Sequence, residues 1–348
     1  MRRDRKRNAA RAVFVRSIFL LSIFALAGGL FAAAQTALAQ SGSTIQLPPP
    51  PGAQQNRPYT LKRTVDMVRL PVSVLDKQGN FVNGLDEQDF RVLENGVPQK
   101  IDLFTHADTP VTVGLVIDNS GSMRPKRARV NAAALTFVHT SNPQDEMFVV
   151  NFNDEFYLDM DTDFTNDPNV MKAALDRIDS RGQTALYDAI LGSMSHLKKG
   201  TREKKVLLVI TDGEDDDSTH SLDNTVEQVQ QSNVMIYAVG LFAKGEDERS
   251  EIRQGKRALL ALAQASGGEV YFPKTVDEVN AICTRIARDI RDQYMIGYYP
   301  SDTSKNGTFR TVKIEVAGTK GMGKLSVRAR PGYFAPKAAA EATATTGN

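Results

Sequence analysis

The chain has 348 residues, 41% of them hydrophobic and 24% charged, with a single cysteine, which is an ordinary globular composition with room for two modest domains. One cysteine excludes an internal disulfide, so stability must come from core burial. The formal charge of +2 belongs to the first 39 residues: removing their seven basic and one acidic residues leaves 36 Lys and Arg against 40 Asp and Glu, net −4, which argues against a nucleic-acid partner.

The N-terminus opens with Arg2, Arg3, Arg5, Lys6, Arg7, Arg11 and Arg16. An uncharged apolar run, Ser17 to Ala34, follows, and Ala37-Leu38-Ala39 precedes Gln40. This is the layout of a secretory signal peptide over residues 1–39, and it directs the chain to the periplasm, the cell envelope or the outside. An uncleaved anchor is the alternative, because the apolar run is long enough to span a bilayer. Only in that case does a membrane enter. No cysteine lies near Ala39 to carry a lipid, and the residues around Arg2-Arg3 do not support twin-arginine export.

Residues 40–60 are rich in Ser, Gly, Gln and Pro, with Pro48 to Pro51 consecutive, and read as a stiff extended linker. Residues 61–107 read as β. Val65 to Leu75 alternates, Asp76 to Asn80 is a turn, and Phe90–Leu93 and Ile101–Phe104 flank Glu94-Asn95-Gly96, where Asn-Gly marks a hairpin.

From residue 108 to 292 strands and helices alternate. Strands are expected at Val111–Ile117, Met147–Phe152, Phe156–Met160, Lys205–Ile210, Val234–Gly240 and Glu269–Phe272. Helices are expected at Lys126–His139, Pro168–Ile178, Ala185–Leu197, Leu222–Gln231, Gly255–Ala265 and Val276–Ile290. Cys283 falls on an apolar stripe of the last helix (Val279, Ile282, Ile286, Ile290) and reads as a buried structural thiol. The pattern predicts an α/β fold with a doubly wound, mostly parallel sheet. Only Asn153-Asp154-Glu155 separates the second and third strands, too short for a crossover, so one edge strand is antiparallel.

Residues 293–335 return to β, with strands at Tyr294–Tyr299, Phe309–Val316 and Lys324–Ala329 and turns at Lys305-Asn306-Gly307 and Lys320–Gly323. Neither β segment can bury a core alone. Together they predict one small β-sandwich into which the α/β unit is inserted, with two independent flanking caps as the alternative. The tail, residues 336–348, is Ala- and Thr-rich and reads as disordered.

The chemistry gathers at strand ends. Val111 to Ile117 is an apolar run of the kind buried on both faces, and it ends in Asp118, Ser120 and Ser122. Ser180 to Tyr187 carries Gly182 and Thr184 just before a helix, and Val206 to Ile210 runs into Thr211-Asp212-Gly213. In a doubly wound sheet the first and fourth of the strands can be neighbours, and ligands bind beyond the carboxyl ends. Asp118, Ser120, Ser122, Thr184 and Asp212 would then converge as two carboxylates and three hydroxyls. An all-oxygen set with few charges suits Mg2+, which keeps several waters, better than a dedicated Ca2+ cage.

Each piece also has a plainer reading. Ser122 and Thr184 could be helix N-caps, and Asp212-Gly213 a turn. The acidic run Glu214 to Asp217 reads as a solvated loop, with a second Ca2+ site or a repulsive filter as the sharper alternative. Arg124, Lys126, Arg127 and Arg129 read as the solvent face of the first helix, or else as attraction for an acidic ligand.

Asp118-x-Ser120-x-Ser122, then Thr184, then Thr211-Asp212-Gly213, resembles the metal-ion-dependent adhesion site (MIDAS) of von Willebrand factor type A domains, in order and spacing, over about 111–292. Gly84 to Gly96 before it, and Tyr294–Tyr299 with Arg328 to Tyr333 after it, resemble the acidobacterial subgroup of von Willebrand factor A-related proteins, extending the likeness over roughly 60–335. The resemblance implies Mg2+, with Mn2+ or Ca2+ as alternatives, held by the two serines and the threonine, with the aspartates bound directly or through water. It also implies an open coordination position filled by an Asp or Glu of a protein partner.

Enzyme signatures are lacking. A phosphotransferase of the haloacid dehalogenase type needs Asp where Ser120 stands, and there is no nucleophile elbow, dinucleotide fingerprint or Walker A sequence. His106, His139, His196 and His220 show no metal-ligand spacing. The sequence therefore reads as an exported adhesion or assembly module and not an enzyme, with an envelope hydrolase using the same ion, or a structural scaffold, as the alternatives.

Overall fold

The apolar run after residue 110 forms β5 (Val111–Asp118), and all of its residues are buried. It lies at the centre of a six-stranded sheet with β6 (Glu146–Phe152), β7 (Phe156–Leu158), β8 (Lys204–Thr211), β9 (Val234–Gly240) and β10 (Val270–Tyr271), in the order β10-β9-β8-β5-β6-β7. A computed structural model describes residues 66–177, 180–213, 215–242, 250–317 and 323–337. The signal segment, the linker, residues 61–65, Glu214, most of the turn at 320–323 and residues 338–348 lie outside the described residues.

All pairings in this sheet are parallel except β6 with β7, which form the antiparallel hairpin expected from the three-residue connection. Six α-helices among the described residues complete the unit: α1 (Arg127–Thr140), α2 (Pro168–Leu175), α3 (Leu186–Leu197), α4 (Leu222–Gln231), α5 (Ser250–Ser266) and α6 (Val279–Arg291). α1 packs with α2 and α6, and α4 packs with α3 and α5, so the sheet carries a helical layer on each face. The architecture is the expected doubly wound α/β fold. Gly114 makes room within the sheet for its neighbours on β6 and β8: a Cβ there would lie 2.5 Å from Cζ of Phe148 and 2.7 Å from Cδ2 of Leu207. Cys283 is fully buried, and burial pushes its thiol up to about 12.

The flanking strands are β1 (Val68–Leu75), β2 (Phe90–Glu94), β3 (Val97–Gln99), β4 (Leu103–Thr105), β11 (Tyr294–Tyr298), β12 (Phe309–Val316), β13 (Ser326–Arg328) and β14 (Gly332–Phe334). They form two antiparallel sheets, β13-β1-β11-β4 and β14-β12-β2-β3. Each sheet takes strands from both ends of the chain: Leu70 lies opposite Ile296, and Val92 opposite Ile314. Leu70, Val72, Val92, Ile296 and Tyr298 share one core.

Asn95 and Gly96 both take positive φ (48° and 80°), which suits a two-residue hairpin with matching twist. That hairpin joins β2 to β3. The strand expected at 101–104 forms at 103–105 and pairs with β11 in the other sheet. Asp289 of α6 fastens the two parts together. Its buried carboxylate accepts Ser73 Oγ of β1 at 2.7 Å and Tyr237 OH of β9 at 2.7 Å, and it pairs with Arg328 of β13.

Candidate functional site

β5 and β8 run side by side with Ile117 opposite Ile210, so their ends deliver Asp118 and Thr211 together at the point where the strand order reverses. The carboxylate of Asp118 is fully buried. Its Oδ1 accepts the Ser120 amide at 2.8 Å, and its Oδ2 accepts the Thr211 hydroxyl at 2.6 Å. Burial, and then the nearby charge of Asp212, push it up to about 6.

From there a line of oxygens leads outward. Ser120 Oγ lies 3.1 Å from Ser122 Oγ, and Ser122 Oγ donates to Asp212 Oδ1 at 2.7 Å. Thr184 comes in from the loop before α3. Its Oγ1 would stand 3.3 Å from a Cβ placed on Gly213, so the hydroxyl lies beside Gly213.

Two loops are laced together to hold this arrangement. Gly121 N–H donates to Gly182 O at 3.4 Å, Arg181 N–H to Asn119 O at 3.2 Å, and Ser180 Oγ to Asn119 Oδ1 at 3.0 Å. Gly182 has φ +73°, and a Cβ there would strike the Asp154 carboxylate at 2.4 Å. The same carboxylate accepts the Gln183 amide, so the β6–β7 turn braces the loop.

The helix-cap readings of the two hydroxyls are not met. α1 begins at Arg127 with Lys126 at its N-cap, and α3 begins at Leu186 with Ala185 at its N-cap; neither cap has a side-chain bond. Ser122 lies inside a 3-10 turn, Gly121–Met123.

The basic cluster is not one solvent face. Arg127 is 1% exposed; its Nη2 donates to Asn151 Oδ1 at 2.8 Å and to Leu175 O at 3.2 Å, and its Nη1 reaches Asp118 O at 3.4 Å. Only its position after Lys126 in the sequence suggested a surface residue. Arg124 Nη2 donates to Ser180 O at 2.6 Å, and Arg129 pairs with Asp277 at the surface. Lys126 forms an ion pair with Asp212 and reaches Leu241 O at 3.3 Å. Asp215 and Asp216 also do more than face water: Tyr187 N–H donates to Asp215 Oδ2 at 2.9 Å, and Thr184 N–H to Asp216 Oδ1 at 2.7 Å.

The residues fit a hard divalent cation. Two carboxylates with buried side chains crowd one another, and a lysine ammonium already supplies positive charge at Asp212. The remaining donors are neutral hydroxyls. Among the described residues no three His, Cys, Asp or Glu side chains cluster to hold a metal, and the oxygens beside the two carboxylates here are hydroxyls. A cleft of about 510 Å³ lies elsewhere, between the end of α4 and the sandwich, and shares no residue with this edge.

Residues 113–214 match the family model of the von Willebrand factor type A domain. An uncharacterized protein of Borreliella burgdorferi is 28% identical over 157 residues; the match covers 44% of this chain and 45% of that protein, so less than half the relative's length is spanned. Among solved structures, the vWF domain of the type V pili tip protein Mfa5 from Porphyromonas gingivalis aligns with TM-score 0.45 and 13% identity, over 53% of this chain and 96% of that one. Proximal thread matrix protein 1 of the mussel byssus, with a zinc-occupied MIDAS motif, aligns with TM-score 0.45 and 17% identity, over 57% of this chain and 49% of that one. An aerotolerance-related membrane protein of Bacteroides fragilis aligns with TM-score 0.41 and 18% identity, over 52% of this chain and 98% of that one.

Proposed function

We propose that the chain is an exported protein-binding module that captures a carboxylate of its partner through a divalent cation. Asp118, Ser120, Ser122, Thr184 and Asp212 are its ligands, directly or through water. Mg2+ is the first candidate, with Mn2+ and Ca2+ as alternatives. The bound ion supplies a Lewis-acidic position at the carboxyl edge of the sheet, which an Asp or Glu of a partner protein completes.

The observation that carries this reading is the run of contacts from buried Asp118, which accepts the Ser120 amide, through the Ser120 and Ser122 hydroxyls to Asp212; none of these hydroxyls caps a helix. Buried Asp118 fixes the depth of the site, while exposed Ser122 faces solvent where a partner arrives. Both oxygens of Asp118 accept hydrogen bonds, and Asp212 is engaged by Ser122 and Lys126. Neither carboxylate stands free as a general base, which favours binding over hydrolysis. The basic, then apolar, N-terminal segment supports export.

The test is capture of partners from an envelope extract on immobilised protein, in Mg2+ and in EDTA. Binding should be eluted by the chelator and be absent with Asp118→Ala. Capture that survives both treatments refutes the mechanism.

A further inference from the structure

The acidic run after Gly213 contains a clasp on one proposed ligand. Asp216 Oδ1 accepts the Thr184 amide at 2.7 Å, and the Asp216 N–H donates to the Thr184 carbonyl at 3.1 Å. One residue thus holds both backbone polar groups of another 32 positions away in the chain. Its neighbours reinforce the join. Asp215 Oδ2 accepts Tyr187 N–H at 2.9 Å and Ser218 Oγ at 2.5 Å. Asp188 of α3 reaches back the other way, accepting Thr219 N–H at 2.9 Å and His220 N–H at 3.1 Å. On the far side, Ala185 N–H donates to Asn153 O at 2.7 Å. The backbone on either side of the Thr184 hydroxyl is therefore fixed from two directions, and the anionic side chains lie at the amino end of α3, where the helix dipole favours them.

We propose that Asp216 is a positioning residue for Thr184, setting the threonine hydroxyl against Gly213 before any ion binds. This rests on the metal reading above. A short loop without such a clasp would have to order itself on binding, and affinity would fall by that cost; outer-shell partners of metal ligands are typically worth about 10–100-fold in affinity. What matters is the acceptor at Oδ1, not the negative charge. Asparagine keeps an acceptor oxygen there and alanine does not.

The experiment titrates the full chain with Mn2+, following free ion by electron paramagnetic resonance, for wild type, Asp216→Ala, Asp216→Asn and Asp118→Ala. Melting temperatures are measured in parallel in EDTA. Asp216→Ala should weaken Mn2+ about 10–100-fold and Asp216→Asn by less than about threefold, both with EDTA melting close to wild type, while Asp118→Ala binds none. Asp216→Ala binding as wild type, with Asp118→Ala inactive, overturns the inference and leaves the metal site standing. Asp216→Asn as weak as Asp216→Ala also overturns it, by showing that charge alone acts. A collapse of Asp216→Ala melting in EDTA overturns it as well, by making the residue a general structural support. Undiminished Mn2+ binding by Asp118→Ala refutes the metal reading itself, and the inference falls with it.

Discussion

Thr211→Val isolates how firmly the buried carboxylate is held. Valine keeps the branched shape on β8 and removes only the hydroxyl. That hydroxyl donates to Asp118 Oδ2 at 2.6 Å in a fully buried setting and accepts the Gly213 amide at 3.2 Å. A hydrogen bond to a charged group contributes about 1.5–3 kcal/mol, and a neutral one about 0.5–1.5. The substitution should therefore cost about 2–4 kcal/mol. A unit the size of residues 108–292 loses roughly 2–4 °C of melting temperature per kcal/mol, so its Tm in EDTA should fall by roughly 5–15 °C. Thr211→Ser retains the hydroxyl and should melt close to wild type. The loosened Asp118 should also weaken Mn2+ by about 10–100-fold. Scanning calorimetry in EDTA and an Mn2+ titration measure the two effects. A valine variant that melts within about 1 °C of wild type, by that conversion, and binds Mn2+ equally would show that Thr211 does not hold Asp118.

Two further perturbations test the frame around the site. Arg127→Met removes a buried guanidinium and leaves Asn151 Oδ1 without its donor, while Leu175 O keeps Asn131 Nδ2; an unmatched buried acceptor costs about 1–3 kcal/mol. The urea midpoint should fall with an unchanged slope, and an unshifted midpoint would contradict the buried role. Lys204 is fully enclosed, and burial lowers its ammonium from 10.5 to about 8. The folded state therefore binds this proton more weakly than the unfolded state, so stability should rise from pH 8 towards pH 10, by at most about 3 kcal/mol. Lys204→Met should lack that rise in calorimetric scans across the same range, and an identical rise in the variant would assign it to another group.

Much of the architecture was legible because it rests on local repetition. Val111–Ile117 and Val206–Ile210 are mostly apolar runs buried on both faces, as the interior strands of a sheet covered by helices on both sides require. Where periodicity is short or polar the reading failed. β3 and β14 are three residues each, too brief to alternate. α5 is already helical at Ser250, before the expected Gly255, because its first described residues, Ser-Glu-Ile-Arg-Gln, show no continuous apolar face. The helix expected to reach Ile178 ends at Leu175.

At the site, the five oxygen-bearing side chains could be read from strand ends and turn residues. What surrounds them could not. The burial of Arg127 is set by Asn151 and Leu175, from two other elements. The bond from Thr211 to Asp118 depends on the β5–β8 register. Asp216 sits in a charge block, where composition favours solvent, and only the neighbouring loop gives it an amide to hold.

The strand pairing of the sandwich bears on how the chain can fold. Val72 pairs with Tyr294, and Val92 with Ile314, so the first two described strands have partners more than two hundred residues later. β1 and β2 must remain without those partners while the whole α/β unit is made. Such long-range closure is slow, and the unpaired strands are prone to aggregate in the interval. Truncation before β11 should leave β1 without its partners and β2 paired with β3 alone, even where the α/β unit folds.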